Sequence, residues 1–290
     1  MRQAPQARTL PDGRLHLQHG PIDLILGADA DPAAKAAAFR AASARFATVL
    51  DELCAELAGL RAEAGPGAPP LHGPVARRMA AAVRPYAAQC FITPMAAVAG
   101  AVADEMLAAM AAEAPLRRAY VNNGGDIALH LSPGERFRVG MVDRPDWPGL
   151  FGAAEVCADS PVRGLATSGW RGRSFSFGVA DAVTVLAATA AGADAAATVI
   201  ANAVDLPGHP AVRRTPAMEM QPDSDLRSRR VTTAVGPLTP GEVNRALDGG
   251  ARVAGRLLRD GLIAAAAMHC QGVTRVAGDA PVLARETVHA

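Results

Sequence analysis

The sequence predicts an α+β fold. Short stretches with alternating apolar residues recur along the chain, and several are joined by tight turns rich in glycine and asparagine. Helical apolar faces are interspersed with them, without the regular strand–helix alternation of a parallel α/β sheet. Half of the 290 residues are hydrophobic. That is enough to bury a sizeable core, in one domain spanning 1–290 or in two intimate lobes.

The elements follow in chain order. Residues 14–26 alternate and read as a β-hairpin turning near Gly20-Pro21. Asp31 caps a helix with Pro32 at its first position. Phe39, Phe46, Leu50, Leu53, Leu57 and Leu60 recur at helical spacing and form its apolar face, which stops before Gly65-Pro66-Gly67. A loop over 65–74 leads to a short helix over 75–83, ended by Pro85. Cys90-Phe91-Ile92 is strand-like, and Thr93-Pro94 opens a helix over 95–112. That helix carries Asp104 and Glu105 and reads as a buried helix, not a membrane span. Strands are expected within 118–142, over 153–158 and over 162–166. Residues 167–180 form a polar, glycine-rich loop. Val183-Thr184-Val185 marks a further strand, and 193–204 fits a helix. A long excursion with five prolines covers 205–237. Thr239-Pro240-Gly241-Glu242 is a capping box for a helix to about Arg259, and 262–276 reads as a last strand.

Composition narrows the function classes. The net charge is +1, so the basic excess that phosphate-backbone binding needs is missing, and no nucleic-acid partner is expected. Lys35 is the single lysine, so no phosphate-binding or Schiff-base lysine can sit elsewhere. Cys54, Cys90, Cys157 and Cys270 contain no CxxC pair and read as buried small hydrophobes. The first twenty residues are polar, with no secretory signal, which gives a soluble, cytoplasmic expectation. His16, His19, His72 and His289 sit in polar contexts and are expected at the surface; His269, beside Cys270 in an apolar run, is expected in the core.

Four segments could carry chemistry. In Asn122-Asn123-Gly124-Gly125-Asp126-Ile127, the glycines permit positive φ and close backbone approach to a ligand. Asp126 could hold a ribose hydroxyl, an adenine amine or a metal; equally, Asn-Gly is a strong hairpin signal. In Thr167-Ser168-Gly169-Trp170-Arg171-Gly172-Arg173, hydroxyls, glycines and Arg171 and Arg173 suit a diphosphate, or form a solvated surface loop. Asp194 and Thr198 are four apart, so on a helix they share a face that could bind a hard cation such as Mg²⁺; a plain helix cap is the other reading. Gly100 permits close approach to its helix, and Asp104 four residues on either needs a partner or marks a solvent face.

In their order and spacing these segments resemble the ApbE family, FAD-dependent transferases that attach FMN to proteins with Mg²⁺, and more closely an uncharacterised branch beside it. The family's Asn-x-Gly-Gly-Asp-Ile loop matches Asn122 through Ile127. Its Ala-Asp-x-x-x-Thr helix matches Ala193-Asp194 through Thr198. Its Thr/Ser-Gly loop and Gly-x-x-x-Asp helix resemble Thr167-Ser168-Gly169 and Gly100 through Asp104. The motifs cover roughly 90–205.

The resemblance implies mixed and antiparallel sheets packed with helices around a central cleft. It implies Asp194 and Thr198 as metal ligands, with the Val98 carbonyl as a third. It implies Asn122, Asn123, Gly124, Gly125 and Asp126 along a nucleotide, and Thr167, Ser168 and Gly169 along a flavin or its diphosphate. FAD or FMN and Mg²⁺ are the implied cofactors. Ala99 stands where the family usually has lysine. Ser174 through Asp181 stand where it has a histidine- and proline-containing segment, which leaves Asp181 as a candidate base. A divergent FMN transferase, an FAD-cleaving enzyme, a non-catalytic flavin carrier and an enzyme for another small molecule all fit these residues. A membrane is not expected as a partner; a homodimer is common among compact enzymes, but no residue shows one.

Overall fold

The computed structural model describes residues 4–142, 150–278 and 282–283; His289 lies outside them. In chain order the elements begin with β1 (Gln6–Thr9), β2 (Leu15–His19), β3 (Ile22–Asp29), α1 (Pro32–Ala55), α2 (Leu57–Leu60), α3 (Pro74–Val83) and α4 (Val98–Glu113). Next come β4 (Arg118–Asn123), β5 (Asp126–Leu131), β6 (Arg136–Val142), β7 (Leu150–Cys157), β8 (Gly164–Ser168), β9 (Ala182–Ala187) and α5 (Ala190–Ala203). The last are β10 (Val212–Pro216), α6 (Ala217–Met220), β11 (Arg230–Val235), α7 (Pro240–Arg259), β12 (Ala265–Cys270), β13 (Val273–Gly278) and β14 (Val282–Leu283). The fold is α+β, as the mixed pattern predicts.

The chain forms two compact units. One comprises Met1–Arg136, Cys157–Ala166 and Ala188–Ala195; the other comprises Phe137–Val156, Thr167–Ala187 and Ala196–Ala290. In the first, the strands run in the order β1–β2–β3–β4–β5–β8, with antiparallel neighbours throughout. Strand alternation points Leu15, Leu17, Ile22, Leu24 and Leu26 into the core. Helix α1 covers them with Ala38, Ala42, Phe46, Val49 and Leu53. This face is rotated from the expected one: Phe39 and Leu50 are only half-buried. The alanines occupy it because α1 packs on α4, where small residues let two helix axes approach.

The α1 helix ends at Glu56, whose side chain caps another element. Its carboxylate accepts from the His72 and Gly73 amides at 2.6 and 2.7 Å, just ahead of α3. Cys90-Phe91-Ile92 forms no strand; Ile92 is buried, and its carbonyl accepts from the Ala64 amide at 2.8 Å. A short 3-10 turn, Pro94–Ala97, precedes α4. By length and composition Pro94–Glu113 could cross a membrane. In the fold its Val102, Met106 and Met110 are fully buried.

In the second unit, β9–β12–β13 are consecutive strands, and α7 packs on β12 and β13. Every residue of β9 and β12 is buried, which explains sequences that are apolar except for Thr184 and His269. The expected single strand over 262–276 is two strands, folded back at Gln271-Gly272 with φ of +42° and +85°. The excursion over 205–237 is ordered as well: β10 and β11 form an antiparallel ribbon closed by α6. Its Arg214 pairs with Asp205. Strands β6, β7 and β14 make a small separate sheet. The capping box of α7 is complete: the Thr239 hydroxyl accepts from the Glu242 amide, and the Glu242 carboxylate accepts from the Thr239 amide at 2.8 Å.

Two surface-or-core expectations are corrected. His19 is buried, edge-on to Phe46, because it follows Leu15 and Leu17 on the inward face of β2. Cys90 is exposed and Cys54 and Cys157 half-buried; only Cys270 sits fully in the core, where burial pushes its thiol up to about 12. His269 is buried as expected, with Nδ1 at 2.8 Å from the Thr274 hydroxyl.

Candidate functional site

In the first unit the segment 122–127 is a hairpin tip. Asn123 pairs with Asp126 across β4 and β5, and Gly124 and Gly125 turn the chain with φ of +66° and +114°. Only glycine adopts both values without strain, and a Cβ on Gly125 would meet nothing within 4 Å. The tip is braced from both sides. The Asn122 side chain accepts from the Gly125 amide at 2.8 Å, and the Asn123 side-chain amide donates to the Ala99 carbonyl at 3.1 Å. The hairpin reading holds: the turn is formed, and it is anchored to the start of α4.

The starts of α4 and α5 exchange caps. Each helix begins with amides that have no partner in their own helix. Asp194 of α5 accepts from the Gly100 amide of α4 at 3.0 Å. Asp104 of α4 accepts from the Ala190 and Ala191 amides of α5 at 3.0 and 2.9 Å. The helices must approach closely for this, and Gly100 allows it: a Cβ there would lie 2.3 Å from the Ala190 carbonyl oxygen. Gly164 of β8 serves the same junction, since its Cβ would lie 2.1 Å from the Ala190 nitrogen. Asp104 thus has a partner rather than a solvent role, and the neighbouring Glu105 pairs with Arg45 and Arg78.

The electrostatics at this junction are unusual. Burial, and then the charge of nearby Asp126, push the Asp194 carboxyl well above the usual carboxylate range; the Gly100 and Ala99 amides oppose the shift, and Asp104 adds to it. Asp126 is itself buried. Burial likewise raises Asp104, against the pull of the Ala191 and Ala190 amides and Arg78. Among the described residues, no cluster of three or more His, Cys, Asp or Glu side chains is arranged to hold a metal. Thr198 follows Asp194 by one turn of α5 and is half-buried.

The second unit holds Thr167, Ser168, Gly169, Arg171, Arg173 and Asp181. The loop from Thr167 to Asp181 closes on itself. The Trp170 amide donates to the Ala180 carbonyl at 3.0 Å, and Gly169, with φ of +154°, packs so that a Cβ would lie 2.5 Å from the Asp181 carbonyl oxygen. The Thr167 and Thr184 hydroxyls are 2.8 Å apart. Asp181 is the hub. Its Oδ1 accepts from Arg171 Nε at 2.6 Å and from the Trp170 indole at 3.2 Å, and its Oδ2 accepts from the Gln271 amide at 2.6 Å. The Arg171 guanidinium stacks on the Trp170 ring at 4.5 Å. Arg173 is exposed. Sequence reasoning missed Gln271; the signal was the Gln-Gly pair inside an apparent strand, a turn dipeptide.

The structure therefore draws the predicted residues into two groups. Asn122, Asn123, Gly125, Asp126, Gly100 and Asp194 belong to one, within the first unit, with Val98 opening the helix that carries Gly100. Thr167, Ser168, Gly169, Arg171 and Asp181 belong to the other, within the second.

The profile of a family described as "AbpE bacteria" matches residues 7–276. A UPF0280 protein of Methanosphaerula palustris is 41% identical over 146 residues, covering 47% of this chain and 55% of its own. The UPF0280 protein of Methanopyrus kandleri is 41% identical over 128 residues, covering 44% and 48%. The chain thus spans about half the length of the curated relatives it matches. Among solved structures, the apo form of the Pseudomonas stutzeri flavinyl transferase ApbE is 12% identical with a TM-score of 0.48, covering 94% of this chain and 95% of its own.

Proposed function

The chain belongs to the AbpE bacteria family, and from that premise we propose that it binds a flavin nucleotide, FAD or FMN, together with Mg²⁺ bound at Asp194. The observation that carries the reading is the Asp194–Asp126 carboxyl pair, whose Asp194 accepts from the Gly100 amide in the first turn of α4. Asp194 is desolvated and faces the charge of Asp126. Two carboxylates so placed repel one another, and a hard divalent cation would relieve both the repulsion and the desolvation. The donors of the first unit that fit such an ion are oxygens: the Asp194 carboxylate and the Val98 carbonyl. When bound, the ion would neutralise charge on a phosphate. The Asn122–Asp126 tip, with open space before Gly125, supports a nucleotide lying against its backbone. In the second unit, taken by itself, Thr167, Ser168, Gly169, Arg171 and Arg173 offer hydroxyls, amides and guanidinium groups suited to a diphosphate.

In this reading the chain either transfers FMN or cleaves FAD, and Asp181 supports it by holding Arg171. Both Asp181 oxygens already accept hydrogen bonds, so a role as base would require it to release them. A second reading, flavin carriage without chemistry, is supported by Ala99 and by the histidine-free segment 174–181.

One experiment separates these outcomes. The purified chain is mixed with FAD, with Mg²⁺ or with chelator. Flavin fluorescence follows binding, and chromatography follows FMN and AMP. Mg²⁺-dependent binding that Asp194→Asn weakens, with product release, supports the enzyme. Binding without products supports the carrier. No FAD binding under either condition refutes both.

A further inference from the structure

We propose that Asp181 and Gln271 are positioning residues that fix Arg171 over Trp170 as a receptor for a phosphate-type oxyanion. This deepens the flavin-nucleotide reading by naming what the second unit's loop would grip.

The geometry carries the inference. A solvated arginine samples many rotamers, and ordering it on binding opposes affinity. Arg171 is already ordered. Asp181 grips it at Nε, 2.6 Å away, and the Trp170 ring lies under its plane at 4.5 Å. Trp170 is fixed in turn by its indole bond to the same Asp181 oxygen. The grip engages the inner edge of the guanidinium, so the fork of outer amino groups is presented by a side chain that remains 31% exposed. That fork matches two oxygens of a phosphate. Arg173 and Ser174, both exposed, follow on the same loop.

Asp181 is held just as firmly. It is 7% exposed, and its amide donates to the His269 carbonyl at 2.9 Å. Its second oxygen takes the Gln271 amide at 2.6 Å. Gln271 sits at φ of +42°, and its side chain ties that turn down: Oε1 accepts from the Leu238 amide at 3.0 Å, and Nε2 donates to the Gly236 carbonyl at 2.8 Å. A non-glycine residue in that backbone region, secured by its own side chain, is a feature that tends to occur where a precise arrangement is needed.

The test exploits a sign. Asp181 and Arg171 together are neutral. If an anion bound by charge alone, removing the Asp181 charge would strengthen binding. If Asp181 acts by positioning, the same change weakens it. The probe is inorganic pyrophosphate, titrated into the full chain by calorimetry. In a Trp147→Phe background, where Trp170 is the remaining tryptophan, emission gives a second readout. We expect saturable binding with a Trp170 response. Arg171→Lys, which keeps the charge but loses the fork, should weaken binding about tenfold or more. Asp181→Asn and Gln271→Gly should weaken it in the same direction, with Arg171→Lys deciding the matter should either buried variant fail to fold. Unchanged pyrophosphate binding in Arg171→Lys, stronger binding in a folded Asp181→Asn, or no binding to the parent chain overturns the proposal. FAD binding that ignores Arg171→Lys leaves the flavin reading standing and removes this one. Pyrophosphate binding without FAD binding does the reverse.

Discussion

At Gly100 one hydrogen atom in place of a methyl group decides whether two helices can meet. The Cβ of an alanine would lie 2.3 Å from a backbone oxygen of α5, and backbone cannot swing aside as a side chain can. Gly100→Ala should therefore destabilise the chain by about 1–3 kcal/mol despite alanine's better helix propensity, as overpacking in a tight core does. Urea denaturation measures it; a neutral or stabilising result would mean that the junction is looser than described. At this scale the sequence is legible where chemistry is local. Asn-Asn-Gly-Gly-Asp announces its turn because the glycine dihedrals depend on those residues alone. It is illegible where a partner lies far along the chain. Asp104 finds its amides 86 and 87 residues away, and Asp181 finds the Gln271 amide 90 residues away. No spacing rule reaches so far. The same holds for His19, which sits in a polar-looking stretch and is nevertheless buried by the strand alternation of its neighbours.

At the scale of elements, helix starts are the best-read features. The capping box of α7 is visible in the sequence and present in the fold. Glu242 accepts from the Thr239 amide and meets His209 Nε2 at 2.9 Å, and these bonds pull its carboxyl down to about 2. A carboxyl lowered in the folded state stabilises it above the unfolded pKa, near 4.3, and that contribution is lost as pH falls toward about 2. Glu242→Gln should accordingly show a shallower loss of stability between those limits, read by thermal melts across acid pH. An unaltered acid profile would show that the box is not populated in solution. Strands were harder to read than helix starts. The β10–β11 ribbon hides among prolines and arginines, because a two-stranded element with few buried residues has no strong alternation to display. The run over 262–276 conceals a turn for the opposite reason: β12 is buried on both faces, so its sequence, apolar but for His269, runs on to Gln271 without alternation.

At the scale of the molecule, the chain passes back and forth between its two compact units, so segments distant in sequence supply each one. The family assignment and the α+β class were both legible. Two lobes were one of the two readings, but their boundaries were not legible, because these depend on which segments pack together rather than on a linker with its own composition. The first unit also carries an acid-base signature opposite to that of α7. Asp194 and Asp104 are raised above their ordinary values. Raised carboxyls bind more protons in the folded than in the unfolded state, so their contribution is fully present at low pH and is lost as pH rises through about 4 and beyond. A divalent cation at Asp194 would offset that loss. Mg²⁺ should thus raise the melting temperature more at pH 7 than at pH 4, and Asp194→Asn should abolish the difference. Equal shifts at both values, or none, would remove the cation from the first unit.

The exchanged caps of α4 and α5 carry one more implication. Each helix's opening turn is completed by a side chain borrowed from the other, so fraying at either end exposes unpaired amides at both. The two ends act as a mutual latch. If Asp194 holds an ion as proposed, that ion competes with the Gly100 amide for its oxygens, and occupancy at that carboxylate is transmitted directly into the first turn of the neighbouring helix.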